Sequence, residues 1–497
     1  MRSFGTEAQI VERDDSVRAS HQAQASSHTS HEGATPRIIA KEDAERILRQ
    51  TMGMVKHGGD TLIRVRSWWN GELRWARNRV SLGSDRRDIV VEVVRSIEGS
   101  VGAATTNQLD AVSLESAVRC AERTALLFRK RYFAGMPVDV PLLPTPNPTI
   151  WSDSTYQVTA EQRTSLAQRL TEGAEAKGML SAGYIEMRAG EIAHLNTAKN
   201  EKNTIRYDTY TQAQCSATVR HPKGVGSGWA GLSSYDWSAI DGPALADRAL
   251  QKCMASLNPV AIEPGRYTVI LEPQAVCTLA ELLMTSFDRL AAERGTGPFV
   301  LGPDTALKLW RTKLGLKILD ERITISHDPM HPAMGIVPWS GLGPITLVQN
   351  GVLTTLEYDR DPYALWRLND NLPQSRRPAF HISGGTTSME EMIQTTRRGI
   401  LVTRFSNITM LHPGSLLATG VTRDGLWLIE NGKISKAIKN LRFTESPLFA
   451  FNQVEQLGPP VPVFRPNLDP EQPVLTPAIV PSMKINDFSF TSTIDAI

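Results

Sequence analysis

Asn-Gly dipeptides occur at residues 70–71, 350–351 and 431–432, each between apolar runs. Tight two-residue hairpins need positive φ at both central positions, and asparagine and glycine accept it most readily. The chain is therefore expected to build antiparallel hairpins in both halves, which excludes an all-helical fold. From Tyr184 to Trp229 polar and apolar residues alternate, as in a run of antiparallel strands. Further strands are expected at Leu62–Trp69 and Glu72–Ala76 around the first dipeptide, at Val90–Ile97, at residues 99–105, at Tyr267–Leu271, at Arg322–Ser326 and near Met483–Phe488.

Helices interrupt this pattern. One is expected over Lys41–Lys56. Ser113 is placed as the cap of a second, whose apolar residues Leu114, Ala117, Val118, Ala121, Ala125 and Phe128 recur at threes and fours. Thr159 and Gln162 have the spacing of a capping box for a third, running to about Lys177. A fourth puts Ala275, Leu279, Leu282, Leu283, Phe287 and Leu290 on one face and ends near Gly295. The fold class is α+β in two domains. A mixed N-terminal domain spans 38–260 and a strand-rich C-terminal domain spans 261–497, with a linker bracketed by Pro259 and Pro264. Residues 1–37, rich in Ser, Ala, Gln and His, are expected to be a disordered tail. A proline-rich connector at 137–148 and an extended proline-rich segment at 459–481 complete the outline.

The 497 residues carry 54 basic and 52 acidic groups, a net charge of +2. That balance supplies no field for nucleic acid or an acidic membrane surface. No run reaches the roughly 20 apolar residues of a bilayer span, and no signal peptide is visible at the start. Cys120, Cys215, Cys253 and Cys277 form no close pair and fit reduced structural thiols. A cytoplasmic location is expected.

Residues 279–285 read Leu-Ala-Glu-Leu-Leu-Met-Thr, and their setting carries a resemblance. The strings at 97–107 (IEGSVGAATTN), 263–273 (EPGRYTVILEP), 347–353 (LVQNGVL), 398–404 (RGILVTR) and 427–434 (WLIENGKI) are in order and spacing similar to the TldD/PmbA family, over roughly residues 60–490. Active members carry His-Glu-x-x-x-His at this helix and a cysteine ligand near the C-terminus. Here Ala280 and Thr285 stand at the histidine positions, Glu281 alone is kept, and the last cysteine is Cys277. A catalytic zinc typically takes three protein ligands and leaves one position open to water.

The chain thus resembles the PmbA, or TldE-type, branch, which lacks the metal motif. The resemblance implies a non-catalytic, substrate-holding subunit without a metal of its own. Zinc would belong to a TldD-like, HExxxH-bearing partner in a heterodimer. The substrates would be short or unfolded peptides, with a link to DNA gyrase modulation through small toxic peptides. In an intact motif Glu281 would be the general base; without the metal it reads as a glutamate on the exposed side of an amphipathic helix.

Other residues offer candidate chemistry. His327 and His331 flank Asp328-Pro329-Met330 and offer a relocated metal site if His381 or Asp359 joined them; a polar loop is the plainer reading. Such a site would make the chain a self-sufficient metallopeptidase. A homo-oligomeric peptide-binding protein is the other alternative. His21, His28 and His31 are too loosely spaced for a metal site. Gly226, Gly228 and Gly231 match GxGxxG, but no helix follows to receive a pyrophosphate, so a glycine-rich turn is expected. No Walker sequence and no GxSxG elbow occur. Trp68, Trp69 and Trp75 are expected to straddle the first hairpin, with Trp68 and Trp69 on opposite faces.

Overall fold

The computed structural model describes residues 38–98, 100–128, 150–197, 204–304, 309–327, 344–359, 374–375, 379–465 and 477–494. The expected tail, the connector at 137–148, residues 466–476 of the proline-rich segment, and His331 lie outside the described residues. The fold is α+β and strand-rich.

Six antiparallel strands form the first sheet. They are β1 (Asp60–Ala76), β2 (Arg79–Ile97), β3 (Ser100–Thr106), β4 (Leu180–Asn196), β5 (Thr204–Arg220) and β6 (Ser227–Ser234), in the spatial order β3-β2-β1-β4-β5-β6. The helices α1 (Lys41–Gly53), α2 (Ala111–Phe128), α3 (Asp153–Tyr156), α4 (Ala160–Ala176) and α5 (Gly242–Ala255) belong to the same part of the chain. α4 and α5 cover one sheet face, burying Trp69, Leu73, Trp75, Ile185, Met187, Ala213 and Cys215 against Leu166, Leu170 and Ala249. Thr159 and Gln162 make both halves of the expected capping box. α2 starts earlier than expected: its cap is Asp110, whose Oδ1 accepts from the Ser113 N–H at 2.9 Å.

The first Asn-Gly dipeptide does not turn the chain. Asn70 and Gly71 sit in mid-β1, paired with Arg86 and Asp85 of β2 and with Arg188 and Met187 of β4. Gly71 is there for space, since a Cβ would come within 2.4 Å of Arg163 Nη1 and 2.5 Å of the Trp69 ring. The turn falls instead at Arg77-Asn78, both at positive φ (52° and 64°). Asn78 is held by Ser181 N–H, which donates to its Oδ1 at 2.6 Å, and by its own Nδ2 donating to Met179 O at 2.9 Å. All three tryptophans consequently lie on one strand, with Trp69 and Trp75 buried and Trp68 half-buried on the opposite face. The other two dipeptides turn as expected, with φ of 48° and 77° at Asn350-Gly351 and 52° and 76° at Asn431-Gly432.

The glycine-rich stretch at 226–231 is less a turn than the start of β6. Gly228 lies inside the strand, where a Cβ would meet Ala249 O at 2.2 Å, so its absence lets α5 close onto the sheet.

The second sheet has eleven strands. They are β7 (Gly265–Leu271), β10 (Ile325–His327), β11 (Ile345–Gln349), β12 (Val352–Leu353), β15 (Phe380–Ile382), β16 (Arg398–His412), β17 (Leu417–Glu430), β18 (Lys433–Ala437), β19 (Leu441–Glu445), β20 (Val454–Pro462) and β21 (Ala478–Thr493). Two small pairs, β8 (Val300–Asp304) with β9 (Leu309–Thr312) and β13 (Tyr358–Asp359) with β14 (Gln374–Ser375), stand apart. Strand β7 pairs with β16 on one side and β21 on the other, so β7-β16-β17-β19-β21 closes into a ring. Phe405, Phe443 and Phe488 pack together there, with ring centroids 4.6–5.8 Å apart.

The helix expected through to Gly295 is two helices, α6 (Pro273–Met284) and α7 (Arg289–Glu293). Thr285 and Ser286 stop α6 by donating their hydroxyls to the Leu282 and Leu283 carbonyls at 2.9 and 2.6 Å. Asp288 then caps α7, its Oδ1 accepting from the Ala291 N–H at 3.0 Å. No helix among the described residues is long and apolar enough to cross a membrane.

Candidate functional site

Pro273 opens α6 directly after β7, a position where its missing N–H costs nothing. The buried surface of α6 is wider than the expected stripe, taking in Ala275, Val276, Cys277, Leu279, Ala280, Leu283 and Met284. Ala280 is 1% exposed and sits in the same core cluster as Leu279, Leu283, Phe405 and Phe443. Thr285 is the exposed C-cap of α6, its hydroxyl committed to Leu282 O. Burial pushes the Cys277 thiol far above its ordinary pKa, which disfavours the thiolate a metal would need. The zinc of the HExxxH motif therefore does not fit these residues: one position is a sealed methyl group and the other a hydroxyl spent on a helix end.

Glu281 is half-buried and takes a different partner from the one an intact motif would give it. Arg465 Nε donates to its Oε1 at 2.8 Å. The guanidinium lies 5.2 Å over the Phe380 ring and its side chain is only 11% exposed. Residues 463–465 continue from β20 as a strap between the two sheets. The Gln274 side chain of α6 donates to Phe464 O at 3.0 Å, and Arg465 N–H donates to Ser233 Oγ of β6 at 3.2 Å. Phe464 meets Trp229 and Tyr184 edge-on, at centroid distances of 5.7 and 5.8 Å.

The strap touches the first sheet on the face away from α4 and α5, and that face is polar. Side chains alternate across a strand, so Asn70 and Glu72 of β1, Tyr184, Glu186 and Arg188 of β4, and Gln212, Gln214 and Ser216 of β5 share it. It grades from half-buried on β1 to buried on β4 and β5. Arg188 pairs with Glu186 through Nη2 at 2.7 Å and Nε at 2.8 Å. Asn70, with its amide nitrogen turned to the acceptors, donates to Glu186 Oε1 at 3.0 Å. Tyr184 Oη donates to Gln214 Oε1 at 3.2 Å, and burial, with the Glu186 charge, raises the pKa of that phenol well above its ordinary value. Neither side-chain polar atom of Gln212, nor Gln214 Nε2, has a hydrogen-bond partner among the described residues.

The relocated-metal residues are only partly described. His327 ends β10, is 5% exposed, and holds its Nδ1 2.6 Å from Ala379 O. His381 of β15 pairs in register with Ser326. Among the described residues no group of three or more His, Cys, Asp or Glu side chains is arranged to hold a metal ion. An open groove of about 800 Å³ lies on the helical side of the first sheet, beside Thr159, Gln162, Trp237 and Asp241, away from α6 and the polar face.

Arg465, Gln212 and Gln214 were not singled out in the sequence. The Glu281–Arg465 contact spans 184 residues and leaves no local pattern. The glutamines did leave one, in the polar half of the Tyr184–Trp229 alternation, which reads equally well as a solvated face.

Residues 264–492 match the family described as PmbA/TldA metallopeptidase C-terminal domain. No curated protein matches the chain. Among solved structures, TldE from Thermococcus kodakarensis superposes with a TM-score of 0.73 at 17% identity, covering 90% of this chain and 99% of that one. The candidate DNA gyrase modulator BT3649 from Bacteroides thetaiotaomicron gives 0.72 at 16% identity, covering 91% and 98%. Its counterpart TM0727 from Thermotoga maritima gives 0.69 at 15% identity, covering 91% and 100%. At such identities the likeness speaks for the fold. Residues 264–492 thus belong to the PmbA/TldA metallopeptidase C-terminal domain family, and the fold of TldE is shared along nearly the whole chain.

Proposed function

We propose that this chain is the non-catalytic, substrate-holding subunit of a TldD/PmbA-type metallopeptidase complex acting on short or unfolded peptides. The observation that carries the reading is the state of α6: Ala280 is sealed in the core, and Glu281, the one motif residue kept, is tied to Arg465. A glutamate in that pairing has no metal-bound water to deprotonate. The chemistry then falls to a TldD-like subunit bearing HExxxH and zinc, and this chain contributes the surface that completes a chamber. An extended peptide would be gripped through its main chain, a mode that tolerates many side chains. The fold shared with TldE and with two candidate gyrase modulators supports this reading.

Zinc analysis of the purified chain after dialysis against metal-free buffer tests it. Essentially no zinc, no peptide hydrolysis by the chain alone, and recovery of an HExxxH-bearing chain from the native cell are the expected results. About one zinc per chain with chelator-sensitive hydrolysis would replace this reading with a self-sufficient enzyme.

A further inference from the structure

We propose that strand β18 and the groove beside it dock an extended segment of a partner protein in which acidic and apolar residues alternate. Lys433, Ile434, Ser435 and Lys436 of β18 are four consecutive exposed residues, and among the described residues the strand pairs with β17 alone. The free edge stops at Ala437, where Val260 N–H donates to Ala437 O at 3.1 Å and Lys439 N–H donates to Val260 O at 2.9 Å. Val260 lies there as an isolated parallel bridge to Ile438, so this edge already accepts another main chain where one reaches it. An open strand edge presents unpaired N–H and C=O groups, the template on which an extended chain is added.

The two faces of β18 define what that chain carries. Trp427 pairs with Ala437 and Ile429 with Ile434, so Ile434 and Ala437 share the face of Trp427. On it opens a groove of about 380 Å³, lined by Lys252 and Ala255 of α5 and by Leu401, Trp427, Ile434 and Ala437 of the second sheet. Lys252 and Glu272 neutralise each other at 2.6 Å, and the Trp427 indole N–H is spent on Ala255 O at 3.2 Å, so the groove calls for an apolar side chain. Ile434, 48% exposed, is left to be covered by it. Ser435 is the bulged residue, and Lys433 and Lys436 oppose Glu430 and Leu428 on the other face. Neither lysine has an ion-pair partner among the described residues. A strand added to β18 alternates in the same way, which puts its apolar residues at the groove and its acidic residues beside the lysines. A second copy of this chain would set the same lysines against each other, and like charges across a strand pair repel. The occupant is therefore a different chain. Its charge requirement separates it from the varied peptides of the holding role, on which this inference does not depend.

The test uses the full chain and fluorescein-labelled peptides, blocked at both ends and read by fluorescence anisotropy. One alternates glutamate and leucine and another lysine and leucine; two more are the glutamate peptide N-methylated at every leucine or at every glutamate. The natural chain is expected to bind the glutamate peptide and not the lysine peptide. Lys433→Glu with Lys436→Glu, at exposed positions where substitution leaves the fold intact, weakens the glutamate peptide roughly tenfold, because attractive cross-strand pairs become repulsive. The same double variant gains binding of the lysine peptide. Of the N-methylated pair, the one whose blocked N–H groups face β18 loses affinity for the natural chain. Equal affinity of the double variant for the glutamate peptide, or undiminished binding of both N-methylated forms, would overturn the assignment while the peptide-holding role stood. So would a natural chain that does not bind the glutamate peptide. Self-association of the natural chain that the double variant abolishes, measured by analytical ultracentrifugation, would give the edge to a second copy and overturn it as well.

Discussion

The two sheets bury very different things. The closed ring of β7, β16, β17, β19 and β21 is filled by Phe405, Phe443, Phe488 and aliphatic neighbours. The first sheet is apolar only on its helical face; on the other it buries Glu186, Arg188, His194, Gln212 and Gln214. Hydrophobic burial stabilises at roughly 25 cal/mol per Å², whereas a buried polar group at best breaks even unless it is fully paired. The ring is therefore where stability is concentrated, and the polar face is where stability is given up.

The largest expected effect comes from opening the ring. Phe443→Ala removes the ring that touches both Phe405 and Phe488 and should cost about 3–5 kcal/mol, measured by urea unfolding. A cost under 1 kcal/mol would erase the contrast between the sheets.

The next effect is a pH dependence carried by two buried groups of the first sheet. Burial pushes the Glu191 carboxyl from 4.5 up to about 8, opposed weakly by Ser67. Burial, helped by the Arg64 and Arg206 charges, pulls His194 from 6.5 down to about 4. The folded state holds the Glu191 proton that the unfolded chain gives up, so this stabilisation is complete below pH 4.5 and is lost as pH rises to about 8. For His194 the unfolded chain takes the proton first, so stability is lost as pH falls from 6.5 to about 4. The two slopes oppose one another between about pH 4.5 and 6.5, which leaves stability nearly flat there. Between pH 6.5 and 8 only Glu191 of these two acts, and its share of stability should fall by about 2 kcal/mol. Glu191→Gln should abolish that fall and expose a slope on the acid side. Chemical unfolding of both proteins across pH 4–9 checks it; an identical alkaline decline in the variant would exclude Glu191 as its source.

The smallest effect lies between the sheets. Glu281 is 41% exposed, so its pairing with Arg465 is screened and worth no more than about 1 kcal/mol. Arg465→Met should lower Tm by a few degrees at most while leaving the phenylalanine cluster and the pH profile unchanged. A loss as large as that of Phe443→Ala would make the strap part of the core.

Much of the architecture was legible because it is written locally. The capping box at Thr159 and Gln162, the turns at Asn350 and Asn431, and the alternation of β4 to β6 each depend on neighbours in sequence. Asn70-Gly71 failed as a turn because Gly71 answers to Arg163, a residue 92 positions later (163 − 71), whose guanidinium occupies the space of a side chain. The broken helix at Thr285 hinged on hydroxyls turning back to carbonyls, a choice that apolar periodicity does not record. The candidate site was half legible: the missing ligands stand out in the string 279–285, but whether Ala280 lines a groove or is sealed in a core is decided by strands more than a hundred residues away.

The ring also sets an order of assembly. Its first strand, β7, begins at Gly265 and its closing strand, β21, ends at Thr493, so 228 residues separate them (493 − 265). At about 5–20 residues per second, a ribosome takes about 10–45 s to make the difference. Throughout that interval β7 has β16 available at most, and its second edge waits for β21. The six-stranded sheet, complete at Ser234, has every strand in hand before the wait begins. The half of the protein that buries polar groups is thus free to form first, and the half that secures the fold is locked last.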